Sequence, residues 1–343
     1  MAEVTIYTLA EELNMTPSMV SRAFSPKGKI NEEKRKRVLE LAAKYNFSPN
    51  KFASRLSRKD IRIGILLRSR FTVNTEKMLQ GINQGYEKVK DYKIEYDITV
   101  INPEEDSGYN YGEILDKYAG YDGIIISGFS SSRYTGIINE CYRINPNIVQ
   151  VQTKNTEANY LFASKHSEVT ASRMAAEFLH NCLKRSVNKN VILFTGNKES
   201  SLHISAEEEF RSACCENGLN VLESFDMKDN DEYLKSILPD IFEQYGNNVE
   251  GIYITSGVSG ALCEYIEKNG LDVTLVTFDI YPEIKKYMEK GIISATVEQD
   301  VSGQMQNAFV GLVRHLIDRR ELPETIYTDV QLVFKSNMHQ FGG

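Results

Sequence analysis

The sequence lacks the signatures of the common catalytic and metal-binding sites. Its five cysteines form no C-x-x-C pair, and neither H-E-x-x-H nor G-x-S-x-G occurs anywhere in the chain. A glycine-rich phosphate loop with its lysine is also missing. These absences argue against zinc chemistry, a serine nucleophile and nucleotide hydrolysis. We therefore expect a protein that is not an enzyme and that needs no metal or cofactor.

Long apolar runs are absent as well. No N-terminal apolar segment has the pattern of a signal peptide, and no apolar run is long enough to cross a bilayer. We expect a cytoplasmic protein whose thiols stay reduced. Cys214 and Cys215 are adjacent on a predicted helix, where partial burial explains them better than redox pairing.

The charge of the chain is unevenly distributed. Residues 1–60 contain 12 Lys and Arg against 7 Asp and Glu, a net charge of +5, whereas the whole chain carries −7, which leaves −12 for residues 61–343. Lysines and arginines in the first part can release counterions from DNA, while the acidic remainder repels it. A basic head on an acidic body therefore favours a nucleic-acid binder.

Two short helices joined by a tight turn are predicted near the N-terminus. Apolar residues recur at helical spacing over 6–13 and again over 20–24, with a break at Asn14. Thr16 is suited to cap the second helix, and Pro17 would occupy its first position, where a missing N–H costs nothing. This pattern predicts a helix-turn-helix.

The second helix of this pair is the candidate reader of DNA bases. Its exposed face offers a small, polar and cationic set of side chains: Thr16, Pro17, Ser18, Ser21 and Arg22. An arginine can make a bidentate hydrogen bond with a guanine edge in the major groove, so Arg22 is the predicted base contact. The alternative is that these residues are only the solvated side of an amphipathic helix pair.

A third helix is predicted to begin after Asn31, which can cap it, with Glu32 and Glu33 in its first turn. The expected inner face consists of Val38, Leu41, Ala42 and Tyr45. The basic run at 34–37 on this helix is explained equally well by a solvated face and by general attraction to phosphate.

The following segment, SPNKFASRLSRK, predicts a helix of about two turns. Asn50 can cap it, and Phe52, Ala53 and Leu56 fall on one side. A helix this short is not stable alone in water. We expect it to become ordered only against DNA.

Three segments, VTIYTLAEELNMTPSMVSRAF, YNFSPNKFASRL and IRIGILL, resemble the lactose-repressor (LacI/GalR) family, and the resemblance extends over essentially the whole chain. In that family the linker is a hinge helix that places a leucine in the minor groove at the centre of the operator. The matching residue is Leu56, whose insertion would kink the duplex. The alternative is that Leu56 belongs to the core of a small helix.

The resemblance also implies where the chain meets DNA, although Ser54 and Arg55 depart from the family's usual Ala-Arg order and Met19 replaces a common Thr. The predicted DNA contacts are Thr5, Tyr7, Thr16, Pro17, Ser18, Ser21, Arg22, Asn50, Ala53, Ser54, Arg55 and Leu56.

Beyond residue 60 the sequence alternates between apolar strands and amphipathic helices, which predicts parallel sheets covered by helices. Strands are predicted at 61–67, 93–101, 122–127, 147–152, 190–195, 220–225, 251–255, 273–278 and 293–297. Helices are predicted at 75–90, 168–184, 201–217, 257–268 and 302–319, among others.

The resemblance implies three parts. These are an all-α helix-turn-helix head (1–48), a hinge helix (49–60) and an α/β two-lobed, periplasmic-binding-protein-like (type I) core (61–343). It further implies that lobe one contains 61–160 and 291–323, and that lobe two contains 161–290 and 324–343. The chain would then cross between the lobes near 160, 291 and 323.

Ligands of open α/β sheets bind beyond the carboxyl ends of the strands, which directs attention to the residues after each strand. Asp279 matches the aspartate of the family's G-F-D-D signature, and Gln299 matches a polar residue of the family's cleft. Asp279 could instead cap the helix that begins near Pro282. The predicted effector contacts are Phe71, Asn74, Phe129, Lys154, His166, Asn197, Asp279 and Gln299. For Phe71, Phe129, Lys154 and His166 the alternative is loop or lobe packing.

These observations predict a homodimeric, ligand-responsive transcriptional regulator, expected to be a repressor, that binds double-stranded operator DNA of pseudo-palindromic sequence. The expected effector is a small polar molecule such as a sugar or sugar derivative. Two alternatives stay open. One is a regulator whose core binds a protein corepressor, and the other is an α/β sugar or nucleotide enzyme with a DNA-binding head, for which Asp279 with Glu298 or His166 would be the catalytic pair.

Overall fold

The computed structural model describes residues 6–24, 29–45, 47, 60–69, 71–102 and 110–341. The chain forms two compact units. The first contains residues 1–60 with 91–93, and the second contains residues 61–90 with 94–343.

Three helices make up the described part of the first unit: α1 (Ile6–Glu12), α2 (Pro17–Ala23) and α3 (Glu32–Lys44). They surround a small core of six buried residues, namely Leu9, Ala10, Val20, Ala23, Val38 and Ala42. Asn14, in the turn between α1 and α2, adopts the left-handed conformation with φ of 52°. The predicted break in the apolar pattern at this residue is therefore confirmed as a turn.

Both predicted helix caps are confirmed. The Thr16 side chain accepts a hydrogen bond from the Met19 backbone N–H at 3.3 Å, and Pro17 is the first residue of α2. The Asn31 side chain accepts a hydrogen bond from the Glu33 backbone N–H at 2.9 Å. Each cap satisfies a backbone donor that has no partner within its own helix.

The predicted inner face of α3 is confirmed in part. Val38 and Ala42 are buried and Leu41 is half-buried, but Tyr45 is 38% exposed. Tyr45 follows the last residue of the helix, so it leaves the apolar face, and its hydroxyl donates to Glu12 Oε2 at 2.9 Å. The prediction that Tyr45 belongs to the inner face is therefore wrong.

The second unit is built from two sheets and their covering helices. Its strands are β1 (Ile61–Arg68), β2 (Ile94–Ile101), β3 (Gly123–Ser127), β4 (Ile148–Val151), β5 (Phe162–His166), β6 (Asn190–Thr195), β7 (Asn220–Asp226), β8 (Gly251–Ile254), β9 (Thr274–Phe278), β10 (Ile293–Glu298), β11 (Thr325–Thr328) and β12 (Gln331–Val333). Its helices are α4 (Thr72–Val89), α5 (Tyr111–Ala119), α6 (Thr135–Ile144), α7 (Glu168–Cys182), α8 (Ser201–Asn217), α9 (Asp231–Tyr245), α10 (Gly260–Asn269), α11 (Pro282–Glu289) and α12 (Val301–Asp318).

Each sheet forms the centre of one lobe. Lobe one has the strand order β11-β5-β4-β3-β1-β2 with all pairs parallel, and lobe two has the order β12-β10-β9-β8-β6-β7, in which only β12 is antiparallel to its neighbour. The central strands are buried along their whole length, as expected for continuous apolar runs with helices on both faces. In register, Ile63 lies opposite Gly123 in lobe one, and Ile192 opposite Ile252 in lobe two.

The chain crosses between the lobes later than predicted. The crossings follow β5, β10 and β11, at residues 167, 299–300 and 329–330, rather than near 160, 291 and 323. Each of these strands first completes the sheet that the chain is leaving; Phe162 of β5, for example, pairs with Val149 of β4. Strands β5 and β11 therefore belong to lobe one and β10 to lobe two, which corrects the predicted lobe boundaries.

The nine predicted strands and five predicted helices are confirmed to within three residues at each end. Strands β5, β11 and β12 were not predicted. Helix α12 follows the second crossing and packs against α4 and the strands of lobe one. Among the described residues, no helix combines the length and the apolar character needed to cross a membrane.

Candidate functional site

A cleft of about 300 Å³ lies between the two lobes of the second unit. Its walls are formed at the carboxyl ends of the parallel strands, where ligands of such sheets bind. The lining residues that follow strands include Ser69, Gly128, Gln152, Asn197, Asp229, Ser256, Asp279 and Gln299. This volume and position are typical of a small-molecule site.

Six of the eight residues predicted for effector binding line this cleft: Phe71, Asn74, His166, Asn197, Asp279 and Gln299. The fold thus brings together side chains that are up to 228 positions apart in the sequence. Their role in binding stays a prediction.

The other two predicted residues lie outside the cleft wall. Phe129 is 2% exposed and packs edge-on against Tyr111 and Tyr134, with ring centroids 5.5 and 5.0 Å away. Lys154 forms an ion pair with Glu324, in which Lys154 Nζ lies 2.8 Å from Glu324 Oε1. Placing these two residues in the cleft was therefore wrong: one belongs to the core of lobe one and the other to an ion pair.

Asp279 is a buried and hydrogen-bonded side chain of the cleft. It follows β9 in the left-handed conformation, with φ of 60°, and is 4% exposed. Its Oδ2 accepts hydrogen bonds from the Tyr281 hydroxyl at 3.0 Å and from Gln299 Nε2 at 2.8 Å. Its Oδ1 is buried and has no hydrogen-bond partner among the described residues. Because α11 has no side-chain cap, the alternative that Asp279 caps this helix is wrong.

Burial and the neighbouring Glu298 carboxylate raise the pKa of Asp279 to about 7. Glu298 has its own partners, since its Oε1 is 2.7 Å from Lys77 Nζ and its Oε2 accepts from the Ile280 N–H at 3.0 Å. Asp279 forms no ion pair among the described residues, and the charge of Lys77 offsets only part of the rise in its pKa. At neutral pH its carboxyl group can therefore either donate or accept a proton in a hydrogen bond to a ligand.

On the side of lobe one, the Asn74 and Gln152 amides bind each other through two hydrogen bonds of 3.2 and 2.9 Å. Ser127 Oγ donates to the same Gln152 oxygen at 3.0 Å. Gln152 itself adopts φ of 67° directly after β4. These contacts fix two amide groups in the cleft wall before any ligand is present, which reduces the ordering cost of binding.

His166 contributes a neutral imidazole. It is 1% exposed, and its ring lies beside that of Phe278 with centroids 5.4 Å apart. Burial lowers the pKa of His166 to about 4, so the ring is uncharged at neutral pH. Its Nδ1 is buried without a hydrogen-bond partner within the described ranges.

Lobe two contributes a polar cluster around Asp229. His203 Nδ1 lies 3.1 Å from Thr255 Oγ1, and its Nε2 lies 3.6 Å from Asp229 Oδ2. Asp229 also accepts hydrogen bonds from Ser256 Oγ at 2.6 Å and from the Asn197 N–H at 3.0 Å. Burial opposes ionisation of Asp229, but these hydrogen bonds and the nearby imidazole hold its pKa well below the usual range.

The sequence did not single out His203 or Asp229. Asp229 lies three residues after β7, a strand that was predicted. The rule that ligands bind beyond the carboxyl ends of strands would therefore also have found Asp229. His203 lies in the first turn of α8, and its inward direction becomes visible only in the fold. A Cβ at Gly196 would lie 2.3 Å from His203 Nε2, so this glycine is needed for the close approach.

The two lobes touch across the cleft. Ser130 Oγ of lobe one lies 3.1 Å from Ser200 Oγ of lobe two. The rings of Phe71 and Tyr281 stack with centroids 6.1 Å apart, again one from each lobe. Side chains from both lobes would therefore surround a ligand in this cleft.

Among the described residues of the first unit, those predicted to meet DNA lie on α1, on α2 or at the cap of α2. Tyr7 on α1 is 73% exposed, Pro17 is half-buried, and the others on α2 or at its cap are exposed, namely Thr16, Ser18, Ser21 and Arg22. The remaining predicted contacts lie outside the described residues; they are Thr5, Asn50, Ala53, Ser54, Arg55 and Leu56.

Within the described ranges, no group of three or more His, Cys, Asp and Glu side chains is placed to hold a metal ion. The cleft is lined by amides, carboxyls, hydroxyls, imidazoles and aromatic rings, together with the cationic side chains of Arg68, Arg133 and Lys228. Such groups can hydrogen-bond and stack on a small polyhydroxylated ligand.

Comparison with known proteins shows which family the second unit resembles. A family model described as periplasmic binding protein domain matches residues 73–319. The HTH-type transcriptional regulator pepR1 of Lactobacillus delbrueckii subsp. lactis is 24% identical over 275 residues, which cover 75% of this chain and 74% of that protein.

Two solved structures share the fold. GanP, a glucose-galactose binding protein from Geobacillus stearothermophilus, superposes with a TM-score of 0.71 and 18% identity, covering 82% of this chain and 99% of its own. A Bacteroides fragilis protein with a provisional assignment as a LacI transcriptional regulator gives a TM-score of 0.69 and 20% identity, covering 82% and 100%. With its two-lobed cleft and a family match over most of its length, the chain belongs to the periplasmic binding protein domain family.

Proposed function

We propose that the protein is a ligand-responsive transcriptional repressor of the LacI/GalR type. The observation that carries this proposal is the combination of two units in one chain. A three-helix unit presents exposed Ser18, Ser21 and Arg22 on a helix capped by Thr16, and it precedes a two-lobed unit with a small-molecule cleft. A sensor cleft joined to a basic helical head is what a regulator requires.

The comparisons support both halves of the proposal. The pepR1 alignment covers about three quarters of each chain, and that relative is an HTH-type transcriptional regulator. GanP, which shares the fold of the second unit, is a glucose-galactose binding protein. A regulator that senses a sugar or sugar derivative combines the two.

At the DNA end, α2 would enter the major groove with Arg22 at a base edge. Two copies in a homodimer would read the two halves of a pseudo-palindromic operator in the cytoplasm. The segment 49–60, with Leu56, would supply the hinge helices at the operator centre.

At the ligand end, hydroxyl groups would bind Asp279, Gln299 and Asn74, and an apolar ring face would lie against Phe71 or Phe278. The ligand would change operator affinity only to the extent that it binds the DNA-competent and DNA-incompetent states differently. The proposed role is binding without turnover, so any ligand of the cleft should be recovered chemically unchanged.

The test of this proposal is selection of genomic fragments on the full-length protein, followed by footprinting of the selected DNA. We expect a protected site with two-fold symmetry. Arg22→Ala should lower affinity for this site far more than affinity for random DNA, whereas Arg37→Ala, from the basic run of α3, should weaken both to a similar extent. Selection of no symmetric site would reject the proposal, and equal losses for Arg22→Ala on both DNAs would remove Arg22 from base reading.

A further inference from the structure

One lysine of lobe one lies behind the cleft and contacts lobe two there. Lys77 is on α4 and is not among the described residues that line the cleft. Its side chain is 14% exposed, and its Nζ lies 2.7 Å from Glu298 Oε1 and 3.4 Å from the backbone oxygen of Ile280. Both partners belong to lobe two. Lys77 therefore joins the two lobes beside the cleft.

Ile280 is held at both of its backbone polar groups. Its N–H donates to Glu298 Oε2 at 3.0 Å, and its carbonyl oxygen accepts from Lys77 Nζ. Glu298 bridges the two, because one of its carboxylate oxygens binds the lysine and the other binds the amide. Hydrogen bonds with one charged partner are stronger than neutral ones. The position of Ile280 therefore depends on an ammonium group of lobe one.

Ile280 lies between two residues that line the cleft, Asp279 and Tyr281. The Tyr281 hydroxyl and Gln299 Nε2 both donate to Asp279 Oδ2, at 3.0 and 2.8 Å. Lys77 Nζ also lies 5.7 Å from the centroid of the Tyr281 ring. A shift of Lys77 would therefore change the position of Tyr281 and, through its neighbours, that of Asp279.

Helix α4 keeps Lys77 in a fixed position relative to α12. A Cβ at Gly81, one turn after Lys77, would lie 2.3 Å from the backbone oxygen of Ser302, so the two helices are in direct contact. Helix α12 begins at Val301, two residues after Gln299. The backbone of Lys77 and the start of α12 should therefore move together, whereas the loop after β9 belongs to lobe two.

We infer that Lys77 is a positioning residue of the ligand site, which acts through Glu298 to hold Asp279 in the orientation that binds the ligand. This inference rests on the proposed function, because it assumes that a ligand binds Asp279. Lys77 itself does not contact the ligand. Since Lys77 and Asp279 belong to different lobes, ligand affinity depends on the relative position of the lobes, as a ligand-responsive core requires.

The first test is calorimetric titration of the full-length protein with glucose, galactose, ribose and arabinose. For a sugar that binds wild type, Lys77→Met should weaken binding about tenfold, as loss of an outer-shell partner does at metal sites. Lys77→Arg keeps a cation and should restore a large part of the affinity. Lys88→Met is the matched control, because Lys88 is an exposed lysine in the last turn of the same helix, and it should bind as wild type does.

A double variant separates positioning from stability. Lys77→Met with Glu298→Gln leaves no unpaired charge and keeps an acceptor for the Ile280 N–H, so its thermal unfolding should approach that of wild type. Its sugar affinity should stay about tenfold weaker, because the contact between the lobes is missing. Recovery of affinity together with stability would make Lys77 a purely structural residue and overturn the inference.

Hydrogen exchange of the double variant in the absence of sugar measures the same role independently. The Ile280 amide should exchange about tenfold faster than in wild type, whereas the amides of β6, in the sheet of lobe two, should keep their rates. An unchanged rate at Ile280 would overturn the inference whether or not a sugar binds.

Unchanged sugar affinity in Lys77→Met would also overturn the inference and leave the proposed function standing. If wild type bound none of the four sugars, the sugar-type ligand of the proposed function would be contradicted, and the exchange rate at Ile280 would decide separately whether Lys77 positions this segment.

Discussion

At the scale of single residues, the cleft contains two buried titratable groups with opposite effects on stability. The pKa of Asp279 is about 7 in the folded chain, against about 3.9 for an unperturbed aspartate. The pKa of His166 is about 4, against about 6.5 for an unperturbed histidine. Between pH 4 and 7, Asp279 therefore makes the protein less stable as the pH rises, and His166 makes it less stable as the pH falls.

The first prediction concerns Asp279→Asn. The amide keeps an oxygen that can accept from Tyr281 and Gln299, but it removes the titration. The free energy of unfolding of the ligand-free variant, relative to wild type, should increase with pH from about 4.5 to 7, with a slope of at most about 1.4 kcal/mol per pH unit. Chemical denaturation across this range measures it. A difference that does not vary with pH would contradict the raised pKa.

The second prediction, for His166→Gln, has the opposite sign. Wild type must keep this imidazole neutral, which becomes more costly below its unfolded pKa, whereas glutamine carries no such cost. Relative to wild type, the variant should therefore become more stable as the pH falls from about 6.5 to 4.5. All other titrating groups are shared by the compared proteins and cancel. Parallel pH profiles for this variant and wild type would show that burial does not perturb His166.

At the scale of elements, the cap of α2 decides how well its exposed face is held. Thr16→Ala leaves the Met19 N–H without its side-chain partner, and loss of such a cap costs about 1 kcal/mol. As a third prediction, hydrogen exchange of the α2 amides in the full chain should accelerate about fivefold. Thr16→Ser keeps the hydroxyl and should exchange at nearly the wild-type rate. Equal acceleration in both variants would mean that the hydroxyl does not cap α2.

Elements with a continuous apolar pattern could be predicted, and those stabilised by neighbours could not. IRIGILL and NVILFT are apolar except for Arg62 in the first and the two end residues, Asn190 and Thr195, in the second, so β1 and β6 were found from the sequence. The segment FASKH contains three polar residues in five, and it becomes β5 only because β4 and β11 pair with it on either side. Because β5 and β11 were not predicted, the first and third crossings between the lobes were placed too early in the chain. The second crossing was also placed too early, because the predicted strand at 293–297 was assigned to lobe one.

In the candidate site, too, some residues could be predicted from local sequence and others depended on the packing of neighbouring elements. Asp279, Gln299 and Asn197 were found because they follow strands, where local sequence is sufficient. His203 was missed because the direction of a helical side chain depends on which helix face meets the sheet. Phe129 was misplaced because an aromatic residue after a strand can line a cleft or enter the core, and the neighbouring rings of Tyr111 and Tyr134 decide for the core.

At the scale of the whole core, a buried ion pair joins the lobes. Lys77 on α4 of lobe one reaches Glu298 at the end of β10 of lobe two, at 2.7 Å, immediately before the chain crosses back. Both side chains are largely buried, so removing one partner leaves an uncompensated charge. This pair therefore links the separation of the lobes to the stability of the core.

The fourth prediction follows from this pair. Lys77→Met should lower the free energy of unfolding by about 3 kcal/mol at neutral pH. Adding Glu298→Gln to Lys77→Met removes the orphaned charge while keeping an acceptor for the Ile280 N–H, and it should restore a large part of the loss. Denaturation of wild type, both single variants and the double variant measures the coupling. Additive losses would show that the two side chains do not interact.

The most direct test of ligand-responsive DNA binding is operator affinity measured by fluorescence anisotropy, using the footprinted site and a ligand that binds the cleft. Saturating ligand should change the dissociation constant of the wild-type full chain for this site by about fivefold or more. Asp279→Ala, with the same operator affinity in the absence of ligand, should lose that change. An operator affinity that stays constant while wild type is saturated with ligand would contradict the proposed coupling between cleft and head.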